Sequence, residues 1–433
     1  MLIQRATLID GDTVDIRVEE RIVAVEPRLT PLPAEEVYDA ANGTVIPGLH
    51  DHHVHLRSAA AALTSVRVGP AEVHTRADLV RVLANADVGS DGWIRAVGYH
   101  EAVAGPLDRS VLDDVSPAVP VRVQHRSGVL WTLNSAGLAR VGLPDHPDGR
   151  LRSADHSWSD TLERNESGLA EVSRRLSAYG VTGVTDATPD LTVGDVVKLM
   201  DAHRRGELHQ RVHCLAPGKR ILHDTDLDLS GLTAWVAERH REDAPVAVHC
   251  VTAAQLVITL AALRSAGPHP KDRIEHAAVV PDDSIADLVG VGATVVTQPN
   301  FVAERGEQYL EDVPAAEHHE LWRVAGLKAA GVPVALSTDM PFGDDDPWKA
   351  MRAAVFRTTG AGTVLGAAER VAARDALRMF FGAPDAPATP RRIAPGEPGD
   401  LCILTAPAEE ALAELDAGMV AATVVAGNLV HGG

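Results

Sequence analysis

Aromatic side chains are scarce in this chain: five Phe, four Tyr and six Trp among 433 residues, 3% in all. Ala, Val and Leu therefore have to fill the core. Cysteine is scarcer still. Cys214, Cys250 and Cys402 are odd in number and far apart, which argues against a disulfide framework and suits a reducing compartment. No run of about 18 uncharged apolar residues occurs, so no segment has the length of a membrane-spanning helix. Residues 1–13 hold no apolar stretch of the kind a secretory signal needs, and a cytoplasmic protein is expected. Positive charge is also short, with 40 Lys and Arg against 60 Asp and Glu, a net charge of -20. Nucleic acids and anionic membranes both reward a positive surface, so neither is the expected partner. A small-molecule substrate is expected instead, and homo-oligomerisation is left open. What the chain does hold is a globular composition, 45% hydrophobic and 23% charged, and 20 histidines.

Short strand-like runs fill the first 45 residues and return after residue 395. Neither piece alone can bury a core, so residues 1–45 and 395–433 are expected to build one small composite β-sandwich domain. Between them, in residues 46–394, apolar runs alternate with helical patterns, the signature of parallel strands and crossover helices. Eight such runs predict an α/β protein with a (β/α)8 barrel. They begin around residues 44, 180, 211, 219, 245, 273, 293 and 332. Surplus length lies at about 57–165, read as an insertion over the catalytic face and hence a lid. Residues 382–398, rich in Pro and Ala, read as the linker back to the terminal strands.

Four of these runs end in side chains that bind metals. His53 and His55 stand two apart and so share one face of an extended strand. His249 and His276 each end an apolar run, and Asp339 follows another. Barrel enzymes draw their catalytic groups from the C-terminal ends of different strands, so these five residues are expected to converge. Nitrogen and carboxylate donors without a thiolate favour Zn2+, with Fe2+ or Mn2+ next. A bound divalent metal lowers the pKa of its water to roughly 7, giving hydroxide at neutral pH. Asp339 is the expected general base beside that water, returning the proton to the leaving nitrogen.

The ordered set resembles the amidohydrolase superfamily. It comprises Pro47-Gly48-Leu49-His50-Asp51-His52-His53-Val54-His55, then His249, His276 and Ser337-Thr338-Asp339. Within it the chain looks most like the YtcJ-like branch, amidohydrolase family 3. Leu133-Asn134-Ser135, the segment from Gly180 to Asp186, Thr297-Gln298-Pro299 and Met340-Pro341 with Asp346-Pro347-Trp348 carry that likeness. The resemblance implies a metal-dependent barrel hydrolase that cleaves an amide or related C–N bond of a small organic substrate. It also implies a role for Lys219, whose counterpart is carboxylated in some relatives and bridges two metals. As an ammonium, Lys219 would repel a cation, so one ion or two remain open, as does a structural lysine. His125, Arg126, Gln298 and Arg305 are the candidate substrate contacts, although Val129 stands where relatives often carry a histidine. Two other functions compete: a deaminase or esterase of the same superfamily, and a catalytically inactive relative that only binds.

Overall fold

The computed structural model describes residues 1–152, 158, 162 and 168–432. Its chain divides into two compact units, one of Met1–His55 with Ala170–Gly433 and one of Leu56–Leu169.

The first unit is TIM-barrel-like. Its eight parallel strands are β1 (Leu49–Val54), β2 (Val181–Asp186), β3 (Arg211–Cys214), β4 (Lys219–Ile221), β5 (Ala247–Cys250), β6 (Arg273–His276), β7 (Thr294–Thr297) and β8 (Val334–Leu336). Spatial order follows chain order: β1–β2–β3 form one hydrogen-bonded run and β4 to β8 another. A parallel bridge between Val54 and Met340 joins β1 to the segment after β8. No strand pairing links β3 to β4 among the described residues. Only four residues separate them, too few for the crossover that a parallel neighbour requires. Elsewhere helices supply the crossovers, and their starts are written locally. Thr192 and Asp195 form a capping box ahead of Val193–Arg204, while Asp228 and Thr252 cap the helices Leu229–Arg241 and Ala253–Ala266.

Strands from both ends of the chain share one mixed sheet in the same unit. Leu401–Leu404 pairs antiparallel with Thr44–Pro47, which pairs parallel with Leu2–Leu8. Ile3, Ile16, Val45, Leu401, Ile403 and Val424 form its core. Thr44–Pro47 runs into β1 through Gly48 alone, so the sheet and the first barrel strand form one extended run. A Cβ on Gly48 would lie 2.2 Å from the Thr182 side chain of β2, which is why only glycine fits this junction. Residues 382–398, expected as a linker, begin instead with a hairpin of Gly382–Ala383 and Ala386–Pro390.

The second unit has its own sheet, in the order Arg150–Arg152, Leu130–Leu133, Val121–His125, Ile94–Tyr99 and Val66–Arg67. Leu79, Leu83, Ile94, Leu112, Val121 and Val123 pack in its core. The segment at 57–165 thus carries enough apolar surface to bury a core of its own.

Candidate metal centre

Every residue of β1 is buried, and strand alternation sorts its polar side chains. Asp51 and His53 face one way and His55 continues that face. His50 and His52 take the other, with ring centroids 4.7 Å apart, and His50 Nε2 bonds the Thr185 hydroxyl at 2.9 Å.

Backbone bonds lock Asp339 against this strand: its N–H donates to the His53 carbonyl at 3.0 Å, and His55 N–H donates to Met340 at 2.8 Å. Asp51 reinforces the lock by accepting from Thr338 N–H at 3.1 Å and from its hydroxyl at 2.5 Å. Asp339 and His276 both adopt left-handed backbone, at φ 59° and 70°. Such a conformation costs on the order of 1–2 kcal/mol per non-glycine residue and persists where surrounding bonds over-determine it, a pattern common at functional sites.

The result is a tight group. Asp339 Oδ1 lies 3.6 Å from His53 Nε2 and 3.4 Å from His55 Nε2, and Asp339 Oδ2 lies 4.0 Å from His276 Nδ1. The His276 ring centroid is 4.7 Å from that of His53 and 4.4 Å from that of His249. Lys219 opens β4 level with Ala247, two residues short of the level of His249. Its long stem covers that difference and brings Nζ to 3.1 Å from His53 Nε2. The structure therefore brings together His53, His55, His249, His276, Lys219 and Asp339.

Three of the imidazoles are fixed through Nδ1. His53 Nδ1 bonds Glu275, His55 Nδ1 meets Thr188 Oγ1 at 3.2 Å, and His276 Nδ1 donates to Gln298 Oε1 at 2.8 Å. Burial pushes His53 and His276 well below the ordinary histidine range and His249 down to about 3, with the Lys219 charge acting in the same direction. These rings are neutral, the form that donates to a metal. Burial also lowers Lys219 to about 8, against the opposing pull of Glu275, Asp339 and Asp186. Asp339 Oδ1 is buried and has no hydrogen-bond partner among the described residues. Neutral imidazoles anchored through one nitrogen, around an unsatisfied carboxylate oxygen, fit a divalent cation. His53, His55 and Asp339 each offer an atom within 4.8 Å of the others.

The amidohydrolase family model matches residues 36–431. The chain belongs to the amidohydrolase family. It is therefore a hydrolase by family. It is similar to the N-substituted formamide deformylase of Arthrobacter pascens, with 26% identity over 87% of this chain and 84% of that protein. Among solved structures it resembles an uncharacterized metal-dependent hydrolase of Pyrococcus horikoshii OT3. Identity there is 18%, the TM-score is 0.73, and 99% of each chain is covered. A second uncharacterized metal-dependent hydrolase, from Pyrococcus furiosus, matches with 18% identity, TM-score 0.71, and 94% of this chain against 99% of that one.

The substrate contacts expected from sequence lie differently in this amidohydrolase. Gln298 has no exposed surface: its carbonyl faces His276 and its amide donates to Ser337 Oγ at 2.7 Å and Val296 O at 3.3 Å. Its side chain is bonded to His276, Ser337 and Val296. Arg305 stacks over Phe301 at 3.9 Å and donates to the Phe342 carbonyl at 2.6 Å, holding the loop whose phenyl ring lies 5.2 Å from His55. His125 and Arg126 belong to the Leu56–Leu169 unit, where His125 Nε2 bonds Glu101 at 3.0 Å and Arg126 N–H donates to Tyr99 O at 2.8 Å. Sequence reasoning gave no role to Glu275, Arg273, Asp51 or Thr188. An arginine and a glutamate two apart in the short strand that ends in His276 were a usable signal for the first two.

Proposed function

We propose that this amidohydrolase cleaves an amide or related carbon–nitrogen bond of a small organic molecule, using a divalent metal held by His53, His55, His249, His276 and Asp339. The observation that carries the reading is the set of imidazoles, each fixed through Nδ1, around an unsatisfied Asp339 oxygen. Its nitrogen and carboxylate donors suit Zn2+ best. When bound, such an ion polarises a carbonyl and makes water acidic near neutral pH. Asp339 is the general base: it takes a proton from water and delivers it to the departing nitrogen, which otherwise leaves poorly. The backbone bonds from Asp339 and Met340 to β1 keep that carboxylate aimed, so little reorganisation is needed. Lys219 sets the ion count. As an ammonium it leaves room for one cation, and as a carbamate it adds an oxygen ligand for a second.

N-substituted formamides are the first substrates to try, since the Arthrobacter pascens relative is a deformylase of that class. The test is elemental analysis of the purified protein, with intact mass for a carbamate on Lys219. Turnover is then assayed on formamides, larger amides, ring amidines and esters. Expected are bound metal, amine and carboxylate products, loss on chelation and recovery with Zn2+. Ammonia release from ring amidines alone would instead favour a deaminase. Metal-free protein that gains nothing from Zn2+ or Mn2+ would indicate a relative that only binds.

A further inference from the structure

We infer that Arg273 and Glu275 are positioning residues that decide which nitrogen of His53 is offered to the metal, and how strongly. The inference rests on His53 being a metal ligand.

Both residues lie on β6, two apart and therefore on one face, and both are buried. Glu275 touches His53 Nδ1 with one carboxylate oxygen. Its other oxygen accepts from Arg273 Nε at 2.7 Å, and Arg273 Nη2 lies 3.2 Å from the oxygen on His53. The same Nη2 donates to the His52 carbonyl at 2.6 Å. One guanidinium thus grips both the carboxylate behind His53 and the backbone beside it.

Chemistry turns this clamp into a choice of tautomer. A guanidinium is donor-only, so both Glu275 oxygens face its N–H groups as acceptors. Glu275 then requires a donor at His53 Nδ1. On the other side of the ring, Lys219 Nζ faces Nε2 at 3.1 Å. Glu275 thus assigns the ring proton to Nδ1 and the lone pair to Nε2, the nitrogen turned to Asp339. A carboxylate behind an imidazole also raises its basicity, and losing such a support costs about 10–100-fold in metal affinity. A glutamine at 275 keeps one acceptor oxygen and sets an NH2 donor where the second stood, against either His53 Nδ1 or Arg273 Nε.

The test measures Zn2+ dissociation constants of stripped full-length protein by competition with a chromophoric chelator, beside urea unfolding of the metal-free form. Glu275→Gln is expected to weaken Zn2+ about 10–100-fold. Arg273→Met with Glu275→Gln removes both buried charges, so metal-free stability returns toward wild type while Zn2+ binding stays weak. This double variant also keeps the test alive where a single variant fails to fold. Wild-type Zn2+ affinity in Glu275→Gln, or in the double variant, would overturn the inference. His53→Ala separates the underlying reading, because undiminished Zn2+ affinity there would remove His53 as a ligand whatever the other variants do.

Discussion

Two clusters in this protein hold the same kinds of side chain and are built to different ends. His53, His55 and Asp339 meet in the barrel unit, and His100, Glu101 and His125 meet in the Leu56–Leu169 unit, each with donor atoms within 4.8 Å. In the barrel, Nδ1 of His53 and of His276 donates to a side-chain acceptor, which leaves Nε2 with its lone pair. In the other cluster the roles reverse. His100 Nδ1 accepts from Ala102 N–H at 3.2 Å and His125 Nδ1 accepts from Ser127 N–H at 3.1 Å, while His125 Nε2 bonds Glu101. There the ring proton of His125 lies on the nitrogen that a cation would need. Burial differs as well: the Asp339 side chain is 9% exposed, whereas the Glu101 side chain is 40% exposed and bonded to His125. Proximity of donors therefore does not make a metal centre. What stands behind each ring does.

The largest effect that sharpens this contrast is at Asp339. Asp339→Asn keeps most of the metal and is expected to lower turnover about 10²–10⁴-fold, the usual worth of a positioned base. Near-normal kcat with full metal content would remove Asp339 from that role. Next comes the support of His276. Gln298→Leu deletes the carbonyl that accepts from Nδ1, and Zn2+ affinity should fall about 10-fold or more. The buried donor left unsatisfied should cost about 1–3 kcal/mol of stability in urea unfolding. Unchanged Zn2+ binding would mean that anchoring from behind is not what distinguishes the two clusters. The smallest effect is in the second cluster. His125→Ala or Glu101→Gln should leave the metal content of dialysed protein unchanged and alter stability by about 0–1 kcal/mol, as exposed ion pairs do. Loss of one equivalent of Zn2+ in either variant would break the comparison.

Much of the barrel was legible because its signals are local. Each of the eight apolar runs became a parallel strand, and the near-absent crossover between Cys214 and Lys219 became the unpaired seam between β3 and β4. The spacing of His53 and His55 placed them on one strand face, where the structure has them. Gln298 and Arg305 show what residue order leaves out: a polar side chain looks the same in sequence whether it faces a ligand or a neighbour. Gln298 is consumed by His276 and Ser337, and Arg305 by Phe301 and Phe342. The hairpin at 382–390 was hidden by its prolines, which suggested a linker but here sit in a short isolated pair of strands.

Donor chemistry and strand-end position belong to the sequence by itself, since residue type and a period of two are written along the chain. The direction in which each donor points does not. His53 is oriented by Glu275, 222 residues away, and Lys219 reaches His53 across 166. Asp339 is held to β1 by backbone bonds that exist only once the barrel strands meet. A hydrogen bond chooses one nitrogen of an imidazole through distance and angle, and those are properties of packed strands, not of their order in the chain.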